Sequence, residues 1–151
     1  EKFEIGCCVI DGLPETHAAR EVAARHGSIV HLCFFHESQR GAANWDGKTH
    51  QVTINRTEAL DASRTAVREN RVVLPRRDRL VEKFAQQMTC DAKVLDEDEE
   101  TGIKKFRYIK TGENHFSLAF TYAWMASQSN TSWRGWIQYM EWLKANDGPW
   151  F

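Results

Sequence analysis

No apolar run in this chain approaches the roughly 20 residues that a membrane-spanning helix requires, and its first residues do not read as a signal peptide. Charge of one sign is also missing. The formal net charge is −1, so no global basic field points to nucleic acid, and any such contact has to come from local patches. There is no glycine-rich phosphate loop and no GxSxG motif, which leaves the P-loop and serine-hydrolase chemistries without support. Internal repeats and low-complexity segments are absent as well. The four cysteines, Cys7, Cys8, Cys33 and Cys90, include no CxxC pair. They are expected to be reduced, mostly buried thiols of a cytosolic protein. His26, His31, Cys33 and His36 match no common zinc spacing.

What remains is an ordinary globular balance, 42% apolar and 27% charged in 151 residues, enough for one domain with a real core. Residues 3–10, FEIGCCVI, read as a buried strand. Pro14 fits the first turn of a helix with Ala18, Ala19, Val22 and Ala23 on one side, ending at Gly27. Residues 28–35, SIVHLCFF, form a second strand. Strand, helix, strand in so short a span is a βαβ unit, which implies parallel strands. Residues 36–50 read as a loop with a mobile tip, and HQVTINR as a short strand. Thr57 is expected to cap a helix carrying Leu60, Ser63 and Val67.

RVVLP reads as a brief strand or extended link. Leu80, Val81, Phe84, Ala85 and Met88 then form one stripe of an amphipathic helix. Residues 92–110 form a hairpin around an acidic turn containing Gly102. NHFSLAFTYAWMA is apolar nearly all round and should be a buried helix. A last amphipathic helix aligns Trp133, Trp136, Ile137, Met140 and Leu143, before a loose tail. Most of the six tryptophans should be core, but a peripheral Trp stripe could dock on another domain or subunit.

Several residues carry possible chemistry. Asp11 ends the first strand. Ligands of open α/β sheets bind beyond the carboxyl ends of strands, and Mg²⁺ takes one or two carboxylates with several waters. Asp11 is therefore either a metal ligand, with Glu15 in support, or a cap on the helix that Pro14 begins. Asn114 and His115 open the later helix, as a cap beside a half-exposed histidine or as site residues, with His115 a ligand or an acid–base group. Glu58 and Asp61 read as dipole-matching acids. Lys104, Lys105, Arg107 and Lys110 interleave with Phe106, Tyr108 and Ile109. Together with Arg76 and Arg77 they could grip a phosphate backbone, although the acidic turn argues for a solvated hairpin.

The blocks CVIDGLPETHAAREVAARHG, VTINRTEALDASR, VVLP and ENHFSLAFTYAWMA, in this order and spacing over roughly residues 5–127, resemble the C-terminal nuclease domain of the large terminase subunit of tailed bacteriophages. The resemblance implies an α/β, ribonuclease-H-like fold: a mixed sheet flanked by helices, with the hairpin at about 92–110. It implies residues 1–127 as the core and 128–151 as a helix and tail on or beside it. By implication the domain is a divalent-metal-dependent endonuclease that cuts concatemeric viral DNA during packaging in the bacterial host cytoplasm. Two Mg²⁺ or Mn²⁺ ions would serve the intact domain. Partners would be double-stranded DNA, the ATPase domain, the small terminase subunit and the portal, with no membrane.

Asp11 matches the acid on the family's central parallel strand, and residues 113–119 match the helix that supplies the last ligand. There the family usually shows an aspartate. Here Asn114 and His115 stand in its place, which implies weaker metal binding unless His115 or Glu113 substitutes. The family's first acid lies on an earlier strand of a β-meander, so the chain is expected to be the later part of such a domain. Two other readings stay open. One is a non-catalytic module of the same fold that binds DNA or docks on the portal or small subunit. The other is an unrelated phosphatase or hydrolase using Asp11 and His115.

Overall fold

A computed structural model describes residues 5–97 and 102–129. Strand β1 (Cys8–Asp11), helix α1 (Thr16–His26) and strand β2 (Val30–Phe35) form the expected βαβ unit. Its register pairs Cys8 with Val30 and Asp11 with Cys33, in parallel. Helix α1 stops where Gly27 takes a φ of 57°, a conformation that costs glycine little. One 3₁₀ turn, Gly27–Ile29, then leads into β2.

The segment expected to be a loop with a mobile tip contains strand β3 (Asn44–Asp46), which pairs antiparallel with β4 (Gln51–Ile54). The turn between them is built by Asp46, whose carboxylate accepts from the Lys48 and Thr49 backbones and the Thr49 hydroxyl. Strand β4 pairs in parallel with β2, giving a four-stranded mixed sheet in the order β1-β2-β4-β3.

Helices cover both faces. On one, Ala23 and the half-buried Ala19 of α1 pack on Val30 and Leu32, while Ala18 and Val22 face solvent. The expected stripe is thus turned by part of a helical turn. On the other face lie α2 (Arg56–Arg68) and α4 (His115–Ser127), with Val9, Cys33, Val52, Ile54, Ala59, Tyr122, Met125 and Ala126 in one core. Asn55, not Thr57, caps α2; its side chain accepts from the Thr57 and Glu58 N–H groups.

RVVLP forms no strand and is an extended link to α3 (Arg79–Met88). On α3, Leu80 and Ala85 are exposed, so the packed side is Val81, Phe84, Gln87 and Met88. Helix α4 is not apolar all round. Ser117 and Thr121 are its most deeply buried residues, whereas His115, Ala119 and Ala123 are exposed. Thr121 is satisfied by the Ser117 carbonyl and by the Ser63 hydroxyl of α2 at 2.9 Å, so the polar pair fixes how the two helices meet. The hairpin is β5 (Asp91–Glu97) with β6 (Lys104–Lys110), a separate two-stranded sheet standing against α2. The expected last helix and tail lie outside the described residues.

The join between β1 and α1 is tight. Gly12 donates to the Cys33 carbonyl at 2.9 Å. A Cβ at this position would stand 2.6 Å from the Phe34 ring and 2.9 Å from that carbonyl. The β2 backbone has no room to yield, so Gly12→Ala is expected to lower stability by about 1–3 kcal/mol. Urea denaturation checks this, and an unchanged midpoint would contradict the contact.

Candidate functional site

Asp11 sits at the carboxyl end of β1 and is exposed. It does not cap α1: that position belongs to Glu15, which makes no side-chain cap. Instead the Leu13 N–H donates to Asp11 Oδ1 at 3.1 Å, and the Thr16 hydroxyl donates to the Gly12 carbonyl at 2.8 Å. The carboxylate is thereby aimed by a local turn while remaining open to water. Tyr122, from α4, is stacked on Phe35 with ring centroids 5.9 Å apart. Its hydroxyl is buried, has no well-aligned partner, and lies close enough to feel Asp11. Burial first, then the Asp11 charge, push its ionisation far above the usual phenol range, so it stays a neutral O–H. Cys33, beneath Asp11 in the ladder, is pushed up to about 12 by burial and secondarily by Asp11.

The two other expected ligands lie elsewhere. Asn114 is buried and donates from Nδ2 to Asp91 Oδ1 at 2.6 Å. Tyr122, beside Asp11, comes eight positions later on the same helix, which is ~12 Å of helix rise. His115 is exposed at the first position of α4. Glu113 accepts from Gln87 Nε2 at 3.3 Å, and Gln87 Oε1 accepts from the Phe116 N–H at 2.8 Å. Gln87, a buried glutamine from α3, thus satisfies the start of α4 in place of Asn114.

The residues present can be tested against a divalent ion. Asp11 fits as one carboxylate of a largely hydrated Mg²⁺ that also takes substrate oxygens. The Asn114 Nδ2 is engaged by Asp91, and Asn114 and His115 stand at the start of α4, ~12 Å of helix rise from Tyr122 beside Asp11. Among the described residues no group of three His, Cys, Asp or Glu converges as a metal site.

A buried ion pair that the sequence reading did not anticipate centres on Asp91. Asp91, its side chain wholly buried, accepts from Arg64 Nη2 at 2.8 Å, Ser117 Oγ at 3.1 Å and Asn114. Arg64 also lies 4.3 Å over the Tyr108 ring. Asp61, read as a dipole-matching acid, accepts from the Tyr108 hydroxyl at 2.7 Å and from Lys93 Nζ at 2.6 Å. Its neighbour Glu58 accepts from the Gly41 N–H at 2.8 Å. Both acids hold other segments against α2. The only sequence signal for this network was polar residues at helical spacing on α2 and α4, with nothing to mark Asp91 as their partner.

The basic residues divide. Lys104 pairs with Glu97 at 3.3 Å and Arg107 with Asp96 at 3.0 Å, both across the hairpin ladder. Lys105 stands opposite Asp96 in the register, and Lys110 opposite Asp91. Arg77 pairs with Glu82 at 2.9 Å, and Arg76 is exposed. The ribbon therefore alternates charge along its length, which lowers its field at a phosphate backbone.

Two outcomes follow from this chemistry. Asp91→Ala leaves the half-buried Arg64 guanidinium and the buried Asn114 amide without their carboxylate and is expected to cost about 2–4 kcal/mol in urea denaturation; a loss below 1 kcal/mol would contradict the pairing. Because a raised pKa favours the neutral thiol, Cys33 becomes a thiolate only as pH approaches the value of about 12. At pH 8 iodoacetamide should leave Cys33 unmodified in the native chain and modify it in urea, read by mass spectrometry. Native labelling as fast as in urea would contradict its burial. No family model, curated protein or solved structure matches this chain, so its activity has to be inferred from its residues and their arrangement.

Proposed function

We propose that this chain belongs to a ribonuclease-H-like, divalent-metal-dependent DNA endonuclease of a viral packaging terminase. The observation that carries the reading is Asp11: a solvent-open carboxylate at the carboxyl end of a strand in a parallel βαβ unit. An ion bound to such a carboxylate supplies an activated water and steadies charge on a leaving oxygen. The chain's own part is positional. The Leu13 N–H orients Asp11, and the neutral Tyr122 hydroxyl borders it without adding charge. Two-ion catalysis needs carboxylates besides Asp11, and Asn114 does not serve as one. In the packaging assembly the domain acts on double-stranded DNA beside the ATPase domain, the small subunit and the portal.

A second reading draws on Asn114. Its amide is spent inside the fold on Asp91, as suits a module of this fold that binds DNA or docks on the portal or small subunit without cutting. Exposed Lys105 and Lys110 on the hairpin would then supply phosphate contacts.

Nicking of supercoiled plasmid by the chain in Mn²⁺ separates the two, run beside Asp11→Ala and an EDTA control. Circular dichroism establishes that both proteins are folded, and fluorescence anisotropy follows duplex binding. The first reading expects nicking that falls at least 100-fold in Asp11→Ala and stops in EDTA. Duplex binding without nicking, with both proteins folded, would replace it with the second. Nicking by Asp11→Ala at the parent rate would overturn the role of Asp11.

A further inference from the structure

Three strands end on the Asp11 side of the sheet. Strand β1 ends at Asp11 itself, while Phe35 at the end of β2 pairs with Ile54 at the end of β4. The chain leaving β4 passes at once into the cap Asn55 and then Arg56, the first residue of α2. Tyr122 of α4 meets these strand ends. Its ring stacks on Phe35 and shares a core with Val9, Cys33 and Ile54. Tyr122 is 8% exposed, and its hydroxyl makes no well-aligned hydrogen bond. Burial raises the ionisation of that hydroxyl most, the Asp11 charge adds to this, and the Arg56 charge acts against both. A carboxylate and a guanidinium thus act on one buried hydroxyl from two different strand ends.

The two charges do not neutralise each other. Asp11 and Arg56 make no ion pair, and among the described residues no other carboxylate pairs with Arg56. Glu58, in the same helical turn, is spent on the Gly41 N–H. Arg56 is half-buried and donates from Nη1 to the Tyr108 carbonyl at 3.1 Å. A guanidinium has five N–H donors, so that contact holds the group in place and leaves donors for a ligand. Its position is also one where a cation is disfavoured. The first turn of a helix carries the positive end of the dipole, and a bound anion relieves the repulsion.

We infer that Arg56 is a substrate-binding residue of the Asp11 site, its guanidinium holding non-bridging oxygens of a DNA phosphodiester. A carboxylate and a guanidinium that are near one another yet unpaired match a phosphate accompanied by a divalent cation: the cation suits the carboxylate, and the phosphate oxygens suit the fork. The inference rests on the proposed metal-dependent endonuclease and adds to it the residue that holds the phosphate.

The test is the salt dependence of duplex binding, followed by fluorescence anisotropy of a labelled DNA duplex in Ca²⁺, beside plasmid nicking in Mn²⁺. One phosphate contact contributes about 0.9 to the slope of log affinity against log salt. Arg56→Gln should therefore lower the slope by about one, and slow nicking about 100-fold. Arg56→Lys should keep the slope and slow nicking about tenfold, because it keeps the charge without the fork. Arg25→Gln, at an exposed cation of α1, should match the parent chain in both. Circular dichroism establishes that each variant is folded. An unchanged slope in folded Arg56→Gln would overturn the inference and leave Arg56 a brace for the hairpin. Absence of duplex binding by the parent chain would overturn it too. Where Arg56→Gln does not fold, Arg56→Lys decides, and nicking at the parent rate overturns the inference. A parent chain that does not nick, with a slope still lowered in Arg56→Gln, would instead retire the endonuclease and keep the phosphate contact. Nicking by the parent chain and by Arg56→Gln at one rate, with one slope, would keep the endonuclease and end this inference.

Discussion

The buried carboxylate of Asp91 is the interaction on which the largest part of this structure depends. It stands at the first position of β5, yet its partners come from α2, from the residue before α4 and from the first turn of α4. A carboxylate taken out of water is unfavourable unless its oxygens are fully engaged. Here a guanidinium, an amide and a hydroxyl engage both. That requirement sets the hairpin against α2 and draws the start of α4 inward. A second layer follows from it: Arg64 packs on Tyr108, Tyr108 donates to Asp61, and Asp61 accepts from Lys93. The hairpin has little apolar area of its own, with Leu95 and Phe106 both exposed, so polar anchoring holds its base.

This arrangement bears directly on Asn114. An asparagine at the start of a helix supplies either a cap or a ligand, and both expectations assume that it faces outward. It faces Asp91 instead. Gln87, reaching from another helix, takes over the backbone N–H that a cap would satisfy. Asp11 and Asn114 are therefore governed by different demands. Asp11 is held by its own turn and remains open. Asn114 is held by a buried charge. The placement of Asp11 consequently does not depend on Asn114, and that of Asn114 does not depend on Asp11.

Much of the sheet half was legible in the sequence. Largely apolar runs at 7–10 and 30–35, the second interrupted by His31, separated by a helix-length segment mark a parallel βαβ unit, because a parallel strand is covered on both faces. The hairpin was legible too, from alternation around a glycine-bearing acidic turn. Strand β3 was not. It has three residues, one of them Trp45, in a stretch whose polar and glycine content reads as loop. The helix stripes were legible in existence but not in phase: Val22 and Leu80 sit at an apolar spacing yet face solvent, because neighbours rather than periodicity decide which side is covered. The polar network was the least legible. Long-range partners such as Arg64 and Asp91, 27 positions apart, leave no local pattern, and Asp61 reads the same whether it matches a dipole or anchors a tyrosine.

Strand β1 lies at one end of the sheet order, so among the described residues only its β2 side carries ladder hydrogen bonds. Every second N–H and C=O along its outer side is thus a template for backbone pairing. A strand added there, from any source, would run alongside Asp11 and set its own side chains within a few ångströms of that carboxylate. The surroundings of Asp11 would then depend on the side chains of that strand, because the described part of β1 brings one carboxylate to this end of the sheet.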